Sequence, residues 1–316
     1  MKIQLITPAS MTARNGNSIT ALRWRRILQQ LGHRVFLNQS YNGAACDLLI
    51  ALHARRSAPS IQRFHKRHPD LPLIVALTGT DLYRDIRSRQ NAKRSLELAT
   101  RLIVLQSMGK AELPRRFRGK TRVIYQSAPR IKGPAPLSKN GFKVCVIGHL
   151  RPEKDPMRTA IAARLLPPSS QLRVVHVGRA LSRKMKFHAR AQMANNPRYR
   201  WLGELPHWKT RQLLAGSHLL SLTSQMEGSS NVLCEAVASS VPVVAARIPG
   251  LMGTLGKDYP GYFPVGDTRK LSVLLYQAES DPGFYQKLKI RCHRLRFLVA
   301  PKRELEAWRK LIGELL

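Results

Sequence analysis

Short apolar runs alternate along the chain with stretches in which apolar residues recur every three to four positions. That alternation predicts strand–helix units and parallel sheets. In the first half the strands fall at Ile3–Thr7, Arg34–Leu37, Leu48–Leu52, Leu73–Leu77, Leu102–Leu105 and Thr121–Ile124. A Gly/Asn loop, Arg14-Asn15-Gly16-Asn17-Ser18, follows the first strand. Beyond it Ala21, Trp24, Leu28 and Leu31 keep one face of a helix apolar, and Gly32 stops that helix.

Pro129–Gly141 holds three prolines and two glycines and reads as a linker, with a hinge near residue 135. Phe142–Gly148 then opens a second series, continued by Leu172–Val177, Tyr199–Trp201, Leu219–Leu222 and Val243–Ala245. From about Phe284 the chain reads as helical and very basic. The pattern therefore predicts two Rossmann-like domains, residues 1–138 and 139–316, with a C-terminal helix able to pack back on the first. In such folds ligands gather at the C-terminal ends of the strands.

Charge narrows the choice of ligand. Lys and Arg number 54 against 18 Asp and Glu, a formal charge of +36 over 316 residues. That surplus favours anionic partners: nucleic acid, anionic lipid or phosphorylated small molecules. Hydrophobic residues make up 43%, enough for ordinary cores. No apolar run approaches a membrane span, and the N-terminus is broken too early by Pro8 for a signal peptide. The cysteines, at 46, 145, 234 and 292, suit neither a zinc site nor a disulfide framework, so free thiols in a reducing cytoplasm are expected.

Two segments of the second half offer chemistry. Glu227-Gly228-Ser229-Ser230 forms a turn opening a helix, and Glu235 falls one to two turns inside it. Amides at such a turn can meet an anion or sugar hydroxyls, and a carboxylate can accept two hydrogen bonds from a vicinal diol. Two Glu eight apart occur in many proteins, so a capped helix with solvated carboxylates fits the spacing too. Val146-Ile147-Gly148-His149-Leu150-Arg151-Pro152-Glu153-Lys154 places Arg151 and Lys154 on a strand-to-helix turn. Two cations there can neutralise a diphosphate and stabilise its departure. In so basic a chain they could equally be solvated.

Glu227-x7-Glu235, followed by a helix and Val241-Pro242-Val243-Val244-Ala245, resembles the donor-site signature of the family 4 glycosyltransferases. The resemblance implies a GT-B fold: α/β, with two Rossmann-like parallel-sheet domains facing each other across a cleft. It implies that Glu235 binds the ribose of a nucleotide sugar, and that Glu227 with the amides of Gly228, Ser229 and Ser230 holds sugar and diphosphate. Arg151 and Lys154, beside Gly148, take the motif positions that offset the leaving diphosphate. Backbone groups around 202–206, beginning at Leu202, would read uracil. Ser240 departs from the pattern, standing where a glycine is usual. No Asp-x-Asp pair is present, so metal-independent catalysis is expected, with the UDP-sugar a substrate and no cofactor. The absence of a Gly-x4-Gly-Lys-Ser/Thr loop argues against a P-loop kinase.

In the first half the loop Asn15-Gly16-Asn17 joins two turns after apolar strands, His53-Ala54-Arg55-Arg56 and Thr78-Gly79-Thr80-Asp81. Together they would offer His53, Arg55, Arg56, Thr78, Gly79, Thr80 and free amides to a small anion. Surface solubility is the alternative for the Arg pair. The strings at 48–60, 77–86, 199–203 and 248–267 resemble the selenosugar synthases of selenoneine biosynthesis over nearly the whole chain. That resemblance implies transfer from UDP-N-acetylglucosamine or UDP-glucose to selenophosphate, with a carbon–selenium bond formed and phosphate lost. Two rival readings stand. One is a GT-B enzyme acting on a lipid-linked or polysaccharide acceptor at an anionic membrane. The other is a nucleic-acid-binding protein, although aromatics are only 6%. Incidental contact with nucleic acid or anionic membranes is expected from the charge alone, and no obligate protein partner is inferred.

Overall fold

The computed structural model describes residues 1–8, 16–131 and 141–315. The expected linker falls largely on 132–140, outside the described residues, as does Asn15. The chain divides into two compact units. One comprises Met1–Ser127, Glu227–Asn231 and Pro301–Leu316; the other comprises Ala128–Met226 and Val232–Ala300.

The first unit carries a parallel sheet of β1 (Lys2–Ile6), β2 (Arg34–Asn38), β3 (Leu48–Leu52), β4 (Leu73–Leu77), β5 (Arg101–Val104) and β6 (Thr121–Val123), ordered β2-β1-β3-β4-β5-β6. β3 and β4 are buried at every position, as central parallel strands covered on both faces must be. Gly16, Asn17 and Ser18 differ from expectation: they are the first turn of the helix Gly16–Gln30, not a loop. Thr20 Oγ1 donates to the Gly16 carbonyl at 2.8 Å inside that turn. Gly32, at φ +87°, ends the segment as expected.

The C-terminal stretch is two helices, Pro282–Arg294 and Pro301–Gly313, with a 3-10 segment between them. Pro301 lacks the N–H needed to continue a helix and starts a new one instead. The second of these helices belongs to the first unit. Its Trp308 meets Trp24 edge-on, ring centroids 4.9 Å apart, in the same core cluster as Leu311 and Ile312. Glu304 lies beneath that pair. It accepts from Trp24 Nε1 at 2.7 Å, Arg23 Nε at 2.9 Å and the Ser127 amide at 2.9 Å.

The second unit carries β7 (Phe142–Ile147), β8 (Leu172–Val177), β9 (Tyr199–Trp201), β10 (Leu219–Leu222), β11 (Val243–Ala246) and β12 (Tyr262–Phe263). All pairs are parallel, in the order β12-β11-β10-β7-β8-β9. This is the Rossmann order, which reverses direction between β7 and β10. β12 is a strand the pattern does not reveal, because two residues are too few to show a period. Cys46, Cys145, Cys234 and Cys292 are free and buried. No helix among the described residues is long and apolar enough to cross a membrane.

Candidate functional site

The loops leaving β7 and β10, at the switch point of the second sheet, are bonded to each other. Thr223 Oγ1 lies 2.9 Å from the Lys154 carbonyl and 2.9 Å from that of Asp155, and the Gln225 amide donates to the Glu153 carbonyl at 2.9 Å. Arg151 precedes a 3-10 turn, Pro152–Lys154, and Asp155 closes it in a left-handed conformation, φ +43°. Arg151 is exposed and Lys154 half-buried, with the Lys154 stem beside Gly148. The turn is thus fixed by its backbone, which leaves two long cationic side chains at the strand ends.

A second support comes from β8. Gly178 approaches Gly148 so closely that a Cβ on it would sit 1.8 Å from the Gly148 carbonyl oxygen. His176, at 1% exposure, lies behind the same carbonyl. Its Nε2 is 3.3 Å from the Gly148 oxygen and its Nδ1 2.9 Å from the Tyr199 hydroxyl. Only the tautomer protonated at Nε2 satisfies both, since a carbonyl can only accept. Burial lowers its pKa to about 4. The Leu202 amide donates to the His176 carbonyl at 2.9 Å, so at that residue the amide is committed to the sheet.

Glu235 stands in the helix Asn231–Ala238, its side chain mostly buried, and His207 Nε2 donates to its Oε1 at 2.7 Å. Sequence reasoning did not reach His207, which lies 28 residues away from its partner. The helix ends with Ser240 in a left-handed conformation at φ +57°. The Val241 amide bonds back to Ala236 and the Ser240 amide to Val237, the paired hydrogen bonds of a Schellman cap.

Glu227–Asn231 belongs to the first unit. A Cβ at Gly228 would lie 2.3 Å from the Thr78 carbonyl oxygen, and the Gly228 amide is 3.7 Å from the Cβ position of Gly79. Gly228 is therefore required by close backbone approach, not by φ. Glu227 is buried, and the buried Ser229 hydroxyl has no hydrogen-bond partner among the described residues. Asn231 Oδ1 accepts from Arg23 Nη1 at 3.1 Å, while its Nδ2 approaches the Gly16 carbonyl at 3.4 Å. The structure thus sets the candidate donor loop against two of the turns assigned to the acceptor.

Those acceptor turns are organised by carboxylates that the sequence reading passed over. Asp81, fully buried, accepts from the amides of Thr78 at 3.0 Å, Gly79 at 2.8 Å and Ala54 at 2.9 Å. The Thr78 and Gly79 amides are consequently not free for an anion, a correction to the expectation. Arg55 Nε pairs with buried Asp85 at 2.8 Å, and Arg84 Nε lies 3.4 Å from the same carboxylate. His53 is buried at φ +73°; its Nε2 is 3.1 Å from Thr80 Oγ1, and its Nδ1 accepts the Arg56 amide at 3.3 Å. Three guanidiniums and two carboxylates share the cluster, so its positive surplus is far smaller than the arginines alone imply. Arg56 and Arg84 are its exposed members. Among the described residues no cluster of three or more His, Cys, Asp or Glu could hold a metal ion.

Two units, each built on a six-stranded parallel sheet, are the architecture of the GT-B class. Residues 127–292, more than half of the chain, match the family model described as glycosyl transferases group 1, and the chain belongs to that family. Its fold is shared over the whole length with sucrose-phosphate synthase from Thermosynechococcus elongatus, at 17% identity and TM-score 0.80, covering 99% of this chain and 98% of that one. HepE from Anabaena, solved in complex with UDP-glucose, matches at 17% identity and TM-score 0.80, covering all of both chains. A glycosyltransferase from Rickettsia africae matches at 14% identity and TM-score 0.77, covering 99% of this chain and 98% of that one.

Proposed function

We propose that the chain transfers a sugar from UDP-N-acetylglucosamine or UDP-glucose to selenophosphate. The donor half of this reading is supported by the turn of Gly148–Lys154 beside the β10 exit, by Glu235 on the adjoining helix, and by the UDP-glucose held by the similarly folded HepE. Glu235 would accept the ribose hydroxyls. Glu227, with Gly228, Ser229 and Ser230, would hold the sugar and diphosphate, and the Ser229 hydroxyl, without a partner among the described residues, suits a ligand hydrogen bond. Arg151 and Lys154 would take up the charge of departing UDP.

The observation that carries the acceptor is the state of His53. A sugar hydroxyl needs a base to remove its proton. His53 is buried, with one ring nitrogen on Thr80 and the other on a backbone amide. An acceptor already ionised at its nucleophilic atom needs no such base, and selenophosphate is one. Selenium attacks C1 of the sugar as the bond from C1 to the diphosphate oxygen breaks, its electron pair leaving with UDP. Water then cleaves the selenium–phosphorus bond, adding its oxygen to phosphorus and releasing phosphate. Arg56, beside the neutralised Arg55–Asp85 pair, would meet the acceptor's phosphoryl oxygens.

Mass spectrometry of a reaction holding UDP-N-acetylglucosamine or UDP-glucose with selenophosphate tests this. A selenium isotope pattern on the sugar, with stoichiometric UDP, is the expected result. UDP release that depends on a lipid or polysaccharide acceptor, with no selenium product, would overturn it. In the same assay Arg151→Ala is expected to lower kcat about 10²- to 10³-fold, the scale of losing one preorganised charge-stabilising group.

A further inference from the structure

We infer that His207 is a positioning residue for the nucleoside of the donor, holding Glu235 so that its carboxylate discriminates ribose from deoxyribose. The inference rests on the donor reading above and goes beyond it, because nothing in the Glu-x7-Glu pattern includes position 207. His207 is the first residue of the helix His207–Ala215 and follows Pro206, the end of the loop that leaves β9. Its ring is largely exposed, with 59% side-chain exposure, whereas the Glu235 side chain is 12% exposed. An exposed imidazole is thus anchored on a mostly buried carboxylate at 2.7 Å, a short distance for a nitrogen donor and one that marks a charge-assisted bond.

The chemistry follows from the lone pairs. A carboxylate has two oxygens and about four acceptor positions. His207 takes one position on Oε1, which leaves Oε2 and the second position on Oε1 for two adjacent hydroxyls. Fixing one oxygen also fixes rotation of the carboxylate about its terminal bond, a torsion that is otherwise broad. The bond further ties the loop assigned to the base, 202–206, to the carboxylate assigned to the ribose. Nucleotides with both hydroxyls would gain from this order, and those lacking them would gain nothing.

The experiment is titration calorimetry of the full chain with UDP and with 2′,3′-dideoxy-UDP, for the wild type, Glu235→Gln, His207→Ala and His207→Gln. Wild type is expected to bind UDP at least 10-fold more tightly than the dideoxy analogue. His207→Ala should weaken UDP about 3- to 5-fold, the scale of an exposed ion pair, and leave the analogue within twofold. His207→Gln, which can still donate to Oε1, should recover part of the loss. Equal weakening of both ligands by His207→Ala would overturn the inference, as would unchanged UDP affinity. So would a ribose preference that survives Glu235→Gln. Failure of the wild type to bind UDP at all would instead remove the donor reading itself.

Discussion

Carboxylates do different work in the two units. In the first unit Asp81, Asp85 and Glu304 are buried, each holding backbone amides, arginines or an indole that arrive from separate parts of the chain. In the second, no Asp or Glu occurs between Asp155 and Glu204, a stretch containing ten Lys and Arg. Most of those cations lie on exposed positions, including Arg183, Lys184, Lys186 and Arg190 on the helix Arg183–Asn195. The +36 charge is therefore largely a property of solvated helix faces, while the candidate acceptor turns are close to internally neutralised. Turn geometry in the first unit depends on buried carboxylates that hold amides and arginines and, at Gly228, on close backbone approach. In the second it depends on backbone packing around glycine.

The largest expected effects test that second dependence. Gly178→Ala, in the second unit, forces a Cβ against the Gly148 carbonyl, and Gly228→Ala, in the first, forces one against the Thr78 carbonyl. Backbone cannot step aside as a side-chain tip can, so each change is expected to destabilise the fold by more than about 4 kcal/mol, the exceptional end of single-substitution effects. Urea unfolding measures it. Retained stability in Gly178→Ala would mean that the β8 exit relaxes freely and that the Gly148–Lys154 turn is not held by packing.

The counterpart in the first unit is Glu304→Ala. It strands the Arg23 guanidinium, the Trp24 indole and the Ser127 amide together. Breaking a buried ion pair from one side typically destabilises by about 3–5 kcal/mol. Arg23 keeps some exposure, which places the expectation at about 3 kcal/mol at the lower end of that range. Glu235→Ala removes a carboxylate whose side-chain partner among the described residues is an exposed histidine, and should change stability by less than about 1 kcal/mol. Similar losses from the two variants would end the contrast between a carboxylate that holds the fold together and one held at its surface.

Acidification should separate the units next. His176 has its folded pKa lowered to about 4 by burial, below the ordinary value of 6.5. The unfolded chain therefore binds the extra proton first. This contribution is fully present above about pH 6.5 and is lost as pH falls towards 4, by at most about 3 kcal/mol. Glu314, in the first unit, has its pKa lowered by its hydrogen bond to Arg122, so its contribution is lost only below the ordinary carboxylate range. Tryptophan fluorescence combined with hydrogen exchange between pH 7 and 4 should show the second unit loosening first, and His176→Gln should flatten that dependence.

Much of this architecture was legible in the chain, and the reason is period. β3, β4, β8 and β10 have the bounds that their apolar runs predict, because buried parallel strands are nearly continuous in Val, Ile and Leu. Arg151, Lys154, Glu227 and Glu235 sit at strand exits or on the following helix, where motif spacing places them. What stayed hidden depends on pairings remote in sequence. Asp85 and Arg55 are 30 residues apart, Arg23 and Glu304 281 apart, and Glu235 and His207 28 apart. A local pattern marks each as a surface charge. Only the fold shows which carboxylate consumes which cation, and so how little net charge the turns around His53 retain.

The smallest expected effect is the most discriminating about backbone. Each unit holds a non-glycine residue in the left-handed region, His53 at φ +73° and Ser240 at φ +57°. For L-residues that conformation costs about 1–2 kcal/mol, a penalty glycine avoids. At Ser240 the motif around it normally has glycine, and the Schellman hydrogen bonds come from backbone alone. Ser240→Gly should therefore stabilise by about 0.5–1 kcal/mol after the greater freedom of glycine in the unfolded chain is subtracted. At His53 the ring bonds Thr80 and the Arg56 amide, so His53→Gly relieves the same strain but removes both hydrogen bonds and opens a buried void. It should destabilise by about 2 kcal/mol or more. Opposite signs in the two thermal shifts would show that His53 is kept for its ring. A gain in both would mean that the ring contributes nothing to the turn and is not held away from base chemistry, which would count against an acceptor that needs no base.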